Sequence, residues 1–243
     1  MKMDKSVQIT LIIVLGVLVL GLLLVSNFST AKNTVTGNGY AEIKVIPDLV
    51  KVYLNIETKA DNLTEAKDKN FEIFDNLVSG LESKGFAKED VKTQSFSVTP
   101  NYVWSSGRNT ISGYVATHSI VVEMSADEIS KLSDVIDATT SSGTSVSYIS
   151  FELSQEKEKD YKSEAIKLAS EDARLKATAL AEGLGKNLGS LVSVSDSSFS
   201  YAPWVAYQAS EGDSVTSIKE SVSGITPTEQ TVSSNVMAVF KLR

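Results

Sequence analysis

Residues 50–57 read VKVYLNIE, and every second side chain in this stretch is aliphatic. Successive side chains of a β-strand point to opposite faces of the sheet, so this alternation predicts a strand that is buried on one face only. Residues 40–46 alternate in a similar way, and Pro47-Asp48 between the two segments is typical of a turn. We therefore expect residues 40–46 and 50–57 to form a hairpin.

Beyond this stretch the chain mixes helical and strand-like patterns. Asn62 followed by Glu65 resembles a capping box and predicts a helix that ends near Gly85. The other predicted elements are a hairpin of strands 94–104 and 111–124, a helix over 126–140, a strand over 146–153, an alanine-rich helix over 156–184, and strands over 188–194 and 232–242 that pair with each other. This succession predicts an α+β fold, in which a mixed or antiparallel sheet carries helices packed on one face.

The N-terminal part of the chain holds a long uncharged segment. Residues 7–28 are almost wholly apolar, and a helix needs about 20 such residues to cross a bilayer. Lys2 and Lys5 precede this segment, and the excess of basic residues on the cytoplasmic side places residues 1–6 in the cytoplasm. The sequence therefore predicts one N-terminal transmembrane helix in front of the α+β domain.

This topology divides the rest of the chain into a linker over residues 29–37 and an extracytoplasmic domain over residues 38–243. The alternative is a signal peptide cut after Ala31, because Ser29-Thr30-Ala31 has the pattern of small residues that a signal peptidase accepts. The apolar run is longer than the core of an ordinary signal peptide, which favours a retained anchor. Both interpretations export the domain.

The composition argues against several kinds of site. The chain has no cysteine and one histidine, so neither a thiolate site nor a histidine-rich metal site is expected. The formal net charge is −7 and no basic stripe offsets it, which makes nucleic acid an unsuitable partner. The sequence also lacks the phosphate-binding and hydrolase motifs of the common enzyme classes. We expect no metal, no cofactor and no catalytic residue.

His118 is the one candidate for a general base. It lies within a predicted strand, on the same face as Ala116, Ile120 and Val122, and that apolar face is expected to point into the core. General-base catalysis needs a nucleophile or an orienting carboxylate close by, and the sequence shows neither. A structural histidine is therefore the favoured interpretation.

Residues 196–230 are rich in serine and are expected to form a long loop, which in a compact domain is usually functional. Four aromatic residues stand near its start: Phe199, Tyr201, Trp204 and Tyr207. They form either a flap packed on the sheet or an exposed patch that binds another copy or a partner.

Arg174 is the second candidate for an interaction site. It lies in the alanine-rich helix beside Asp172 and Lys176. These three residues form either a solvated face with salt bridges or, in the sharper interpretation, a surface where Arg174 anchors a contact between subunits or with a loop. The fork of an arginine side chain suits the second role because it binds carboxylates two at a time.

A set of short motifs, in order along the chain, resembles the SIMPL domain family. The motifs are Gly85-Phe86, Asp90-Val91-Lys92-Thr93, Phe96, Pro100, Tyr102, Gly113-Tyr114, Ala165, Ala169, Asp172-Ala173-Arg174, Lys176-Ala177 and Leu180-Ala181. The resemblance covers about residues 35–243. It implies an extracytoplasmic location, an α+β fold and, in at least some members, self-assembly into ring- or channel-like oligomers. Some members are linked to oxidative-stress defence, and the family supplies no catalytic residues to carry over.

Two hypotheses of function follow. The first is a membrane-anchored, non-enzymatic envelope protein that forms a homo-oligomer and is related to stress defence. The second is a binding module that recognises another envelope protein or a ligand through residues 196–230. An enzyme that uses His118 is the third and least favoured class, and it requires His118 to be exposed in a pocket.

Overall fold

The computed structural model describes Val14 and residues 33–105, 107–210, 214–222 and 224–243. The predicted cytoplasmic segment and, apart from Val14, the predicted anchor over residues 7–28 lie outside this part of the chain. Among the residues that are described, none of the helices has both the length and the apolar composition needed to cross a bilayer.

Strands and helices alternate along the described chain. The strands are β1 (Thr34–Val45), β2 (Leu49–Ala60), β3 (Val91–Ser105), β4 (Arg108–Ser125), β5 (Ser145–Glu152), β6 (Leu188–Tyr201), β7 (Trp204–Gln208) and β8 (Gln230–Leu242). The α-helices are α1 (Leu63–Ser83), α2 (Leu132–Ser142), α3 (Gln155–Gly183) and α4 (Val215–Val222), and short 3-10 helices span Lys88–Asp90 and Ala126–Lys131. The predicted α+β class is confirmed.

The strands form two sheets instead of the one expected. A five-stranded sheet has the order β3-β4-β2-β5-β7, and each neighbouring pair in it is antiparallel. A three-stranded sheet has the order β1-β8-β6, which confirms the predicted pairing of the last strand with the one that begins at Leu188.

The predicted hairpin of β1 with β2 is wrong, because the two strands belong to different sheets. The Pro47-Asp48 break passes the chain from one sheet to the other. Asp48 fixes this passage, since its side chain accepts a hydrogen bond from the Ser154 N–H at 2.8 Å and its carbonyl accepts one from the Ala126 N–H at 2.9 Å. The turn signal at Pro47-Asp48 therefore predicts where β1 ends, but it does not predict which strand β1 pairs with.

The chain folds into two compact units. Of the described residues, one unit comprises those within Ala41–Leu168 and Ser198–Ser234, and the other comprises Ala169–Ser197, Asn235–Arg243 and residues 33–40. The first is called the large unit below and the second the small unit. The helix α3 contributes to both.

The core of the large unit confirms the alternation in β2. Val50, Val52, Leu54 and Ile56 are almost completely buried. They share one apolar cluster with side chains from the helices, among them Leu77 and Leu81 of α1, Val135 and Ile136 of α2, and Ile218 and Val222 of α4. The predicted N-cap of α1 is also present, because the Asn62 side chain accepts a hydrogen bond from the Glu65 N–H at 2.9 Å. The helices of this unit thus pack on its sheet through the buried aliphatic face of β2.

The small unit depends on close approach between α3 and β1. Ala173 and Ala177 of α3 are fully buried in a cluster with Val35 of β1 and Ala238 and Phe240 of β8. Where α3 crosses β1, the strand carries Gly37 and Gly39, and a Cβ atom added at Gly39 would lie 1.8 Å from the Ala169 carbonyl oxygen. These two glycines thus form the surface of β1 against which the helix packs.

The serine-rich segment is not the continuous loop expected from its composition. Residues 196–230 contain the end of β6, the whole of β7 and the helix α4. Serine here serves local structure, since the Ser214 hydroxyl accepts a hydrogen bond from the Ser217 N–H at 3.2 Å at the start of α4. Ile218 and Val222 then supply the apolar contacts of that helix. The short strand β7 and the two-turn helix α4 contain few apolar residues, so their periodicity is hard to recognise in a segment rich in serine.

Candidate interaction site

His118 lies in the centre of the large unit and not on its surface. It is on β4, between Ile56 of β2 and Phe96 of β3, and its side chain is 1% exposed. The rings of Phe71, Phe74 and Phe96 surround the imidazole, with ring centroids 4.8 to 5.9 Å away. The expectation that His118 faces the core is confirmed.

A buried asparagine fixes the protonation of this imidazole. The side-chain amide of Asn70, in α1, donates hydrogen bonds to the carbonyl oxygens of Ile56 and Ala116, both at 3.2 Å. Its remaining oxygen therefore has to accept the Nδ1–H of His118, at 3.2 Å. The Nε2 atom of His118 is then left as an acceptor for the Thr93 hydroxyl, at 2.8 Å. Both ring nitrogens are thus engaged in the neutral form.

Sequence reasoning missed Asn70. It is fully buried, yet it is polar and does not belong to an obvious apolar stripe. Its spacing could have revealed it, because it stands four residues after the buried Ala66 and seven before the buried Leu77. Positions that are four and seven apart share a helix face.

We expect acidification to destabilise the fold through His118. Burial lowers the pKa of this histidine below its ordinary value of 6.5. As the pH drops through 6.5, His118 therefore binds a proton in the unfolded chain but stays neutral in the folded chain. The free energy of unfolding falls as a result, by up to about 1.4 kcal/mol per pH unit. The full contribution of neutral His118 is present above pH 6.5. Chemical denaturation between pH 5 and pH 8 measures this slope.

The variant His118→Gln is the matched control, because it removes the only histidine in the chain. Its unfolding free energy is expected to be flat between about pH 5 and pH 6.5, since no other side chain has an ordinary pKa in that window. A slope that stays unchanged in this variant would contradict the role assigned to His118.

A second polar cluster lies on the face of β2 opposite the core. Lys51 Nζ is 2.9 Å from Glu152 Oε2, and the hydroxyls of Tyr53 and Ser150 donate to Glu152 Oε1 at 3.1 and 2.7 Å. Burial alone would raise the pKa of Glu152, but the hydrogen bonds from Lys51 and Ser150 lower it below its usual range. The carboxylate thus has three donors within the chain, which is the pattern of a structural ion pair on a sheet.

The predicted aromatic residues pack within the large unit. Phe199 and Tyr201 adjoin a buried cluster of Val45, Leu153, Ala165 and Val232. The Tyr201 hydroxyl accepts a hydrogen bond from the Leu153 N–H at 2.8 Å, and burial raises the pKa of Tyr201 to about 12. The Lys162 ammonium lies 5.1 Å from the centre of the Phe199 ring.

The other two aromatics belong to β7. Trp204 stacks on Phe151 of β5, with ring centroids 5.1 Å apart, and Tyr207 is buried opposite Ile149. All four aromatics thus have contacts within the chain that suit a segment packed on a sheet. Their use by a partner stays a prediction.

Arg174 belongs to the small unit, where it is exposed on α3. Within the described residues it forms no ion pair, whereas Lys176 pairs with Asp172 at 2.6 Å. The hydrogen bonds that Asp172 accepts from Lys176 and from the Tyr40 N–H lower the pKa of Asp172. The predicted salt-bridged helix face therefore includes Asp172 and Lys176, and it leaves the Arg174 guanidinium available to another molecule.

The small unit exposes apolar side chains along its edge strand. β6 ends the order of the three-stranded sheet, and Leu191, Val192 and Val194 on this strand are each about half exposed. Leu175 of α3 and Leu184, just after the end of this helix, are exposed as well. An edge strand has backbone groups that no neighbour pairs, so apolar side chains beside them form a surface that suits association.

The large unit also contains a cleft of about 620 Å³, and none of the described residues that line it is charged. The described part of its lining comes mainly from β2, α2, β5, the end of β7 and α4, and includes Asn55, Thr140, Thr144, Ser147, Tyr207 and Ile218. Among the described side chains of the lining, hydroxyl groups and the Asn55 amide supply the polar atoms, which suits a neutral polar molecule. In the described part of the chain, no cluster of acidic or histidine side chains could hold a metal ion.

A family model matches most of the chain. The matching model is SIMPL, "Protein of unknown function (DUF541)", and the match extends over residues 35–240. The chain belongs to the SIMPL family. The resemblance seen in the short motifs is thereby confirmed, and the SIMPL domain includes both units described above.

Curated relatives of this SIMPL protein come from several bacteria. The Uncharacterized protein YggE of Escherichia coli K12 is 26% identical over 167 residues, which cover 68% of this chain and 66% of that protein. The 26 kDa periplasmic immunogenic protein of Brucella melitensis is 26% identical over 171 residues, with the same two shares. The YggE protein of Edwardsiella ictaluri is 24% identical over 161 residues. The chain spans about two thirds of the length of these relatives.

Proposed function

We propose that this SIMPL protein is a non-enzymatic component of the cell envelope that is anchored by residues 7–28 and self-associates through β6. The description of a Brucella relative as periplasmic supports an extracytoplasmic domain. The uncharged apolar run over residues 7–28 supports the anchor. A relation to stress defence is part of the proposal only through the family resemblance.

The unprotected edge of β6 carries the proposal of self-association. Proteins usually protect edge strands with charges, prolines or bulges. Residues 188–195 of β6 contain neither a charged side chain nor a proline, and three of their apolar side chains are exposed. A second copy that pairs with this edge would satisfy the backbone groups and cover the apolar side chains. Anchoring in one membrane raises the effective concentration of the copies, so a weak interface is sufficient.

The mass of the detergent-solubilised full chain, measured by light scattering over a concentration series, tests this proposal. We expect a defined oligomer for the parent chain and a smaller species for Val192→Lys combined with Val194→Lys. Ile46→Lys combined with Leu63→Lys is the matched control, because it places the same two charges on exposed apolar residues of the large unit, outside β6. A parent chain that stays monomeric refutes self-association, and an unchanged mass in the double variant refutes the role of β6.

The cleft, whose described lining residues are uncharged, favours a second candidate function, a binding module for a neutral polar ligand. Residues 196–230 contribute part of the lining, as the binding hypothesis requires. Neutral oligosaccharides, tested by thermal shift, are expected to stabilise the parent chain but not Ser147→Trp, whose side chain would fill the cleft. Ser163→Trp, at an exposed position of α3, is the control. Equal stabilisation of both variants would place the ligand elsewhere.

A further inference from the structure

The hairpin of β3 and β4 extends beyond the rest of the five-stranded sheet. The pairing of β4 with β2 ends at Tyr114, opposite Ala60, whereas the pairing with β3 continues to Arg108, opposite Ser105. Residues 101–105 of β3 and 108–113 of β4 therefore form a two-stranded arm, and no third strand among the described residues pairs with it. At about 3.4 Å per residue, an arm of this length extends about 20 Å past β2.

The base of the arm has a defined geometry. The pairing register shifts between Pro100 and Tyr102, so that Ser112 and Gly113 stand opposite the single residue Asn101. Gly113 has a φ of 124°, and an added Cβ atom there would lie 2.5 Å from the Ala60 carbonyl oxygen. The Asn101 amide donates to the Ser112 hydroxyl at 3.2 Å. The bulge thus sets the direction in which the arm leaves the sheet.

The arm has one apolar face. Tyr102 pairs with Ile111, and Trp104 lies two residues further along on the same face. These side chains are 56%, 53% and 73% exposed, in the order Tyr102, Ile111 and Trp104. The opposite face carries Val103 and Thr110, which pair with each other. A two-stranded ribbon is only marginally stable by itself, so this arm needs a surface to cover its aromatic face.

The charge of the arm differs from that of the domain. Between Lys92 and Glu123 the sequence has one charged side chain, Arg108, although the whole chain has a net charge of −7. Arg108 lies at the turn. An aromatic tip with one cation and no carboxylate is complementary to the interface of an anionic bilayer, where tryptophan and tyrosine are enriched and basic residues are attracted.

We propose that the aromatic face of the arm inserts into the headgroup region of the bilayer that holds the predicted anchor. The inference rests on the anchoring in the proposed function and adds a second membrane contact to it. The predicted anchor ends at residue 28 and β1 begins at Thr34, so the intervening chain reaches at most about 20 Å. So short a tether keeps the domain against the membrane, where Trp104 and Tyr102 find their preferred environment.

The two tryptophans of the chain allow a direct test. In Trp204→Phe, the remaining fluorophore is Trp104 on the arm; in Trp104→Phe, it is Trp204, stacked on Phe151. The full chain carrying either variant is reconstituted into vesicles of phosphatidylcholine and phosphatidylglycerol that contain phosphatidylcholine brominated on its acyl chains. We expect strong quenching of Trp104 emission and a nearly unquenched Trp204.

A second measurement does not depend on Trp204. Because the chain has no cysteine, Asn109→Cys and Lys88→Cys can each carry one nitroxide label. Asn109 lies in the arm, and Lys88 is exposed just before the opposite end of β3. We expect the label at 109 to be the more accessible of the two to oxygen, which dissolves in the bilayer. The label at 88 is expected to be the more accessible to a water-soluble nickel chelate.

The outcomes separate the arm from the anchor. Flotation of the vesicles first reports whether the chain is attached to them. A chain that floats with unquenched Trp104 overturns the proposal for the arm and leaves the anchor intact. A blue-shifted but unquenched Trp104 also overturns it, because the tip is then covered by protein. A chain that does not float refutes the anchor, and with it the proposal for the arm.

Discussion

Replacing Gly39 by alanine is expected to lower the free energy of unfolding by about 3 kcal/mol or more. The new Cβ atom would stand 1.8 Å from the Ala169 carbonyl oxygen and 2.5 Å from the Ala173 nitrogen. Both are backbone atoms of α3, so no side chain can turn away to make room. The helix has to move off β1, which would open the buried cluster around Ala173 and Ala177.

Chemical denaturation of the solubilised chain, followed by circular dichroism, measures this loss. Gly183→Ala is the matched control, because it lies at the end of the same helix and a Cβ atom there would meet nothing within 4 Å beyond the adjacent residues and backbone of that helix. It is expected to be neutral or to stabilise the chain by up to about 1 kcal/mol. Equal stability of Gly39→Ala and the parent would show that α3 does not pack closely on β1.

Removing the Asn70 side chain is expected to cost about 3 kcal/mol. Asn70→Ala leaves a cavity, and it leaves the Nδ1–H of His118 without the acceptor it has at 3.2 Å. The carbonyl oxygens of Ile56 and Ala116 each lose a hydrogen bond as well. Because all of these groups are buried, water does not replace the lost contacts.

Asn76→Ala is the control for this substitution, since Asn76 is an exposed residue of the same helix. Its effect on stability is expected to stay within about 0.5 kcal/mol. A double variant that also carries His118→Leu should lose less than the sum of the two single variants, because the orphaned N–H is then absent. Additive losses would argue against direct coupling of Asn70 and His118.

Local patterns in the sequence were sufficient for features that depend on neighbouring residues. The alternation of residues 50–57 predicts the buried face of β2, and the spacing of Asn62 and Glu65 predicts the start of α1. The inward direction of His118 follows from the apolar residues on either side of it. Each of these properties is determined by strand or helix periodicity within a few positions.

Features that depend on distant residues were not predictable in the same way. Side chains of β1 alternate in polarity whichever strand β1 pairs with, so this pattern is compatible with pairing to β2 or to β8. The role of Gly37 and Gly39 depends on the arrival of α3, which follows more than a hundred residues later. The polar network of His118 likewise requires Asn70, which lies on α1. The position of α1 against β4 is set only when the core has formed.

The pairing of β1 with β8 has a consequence for the folding of the newly made chain. β1 begins at Thr34 and its neighbour in the sheet ends at Leu242, so β1 has to wait until β8 has been made. Contacts between the two ends of a chain form slowly, and strands that wait unpaired are prone to aggregate. A chain truncated before Gln230 is therefore expected to leave β1 without its neighbour and to depend on chaperones until it is degraded.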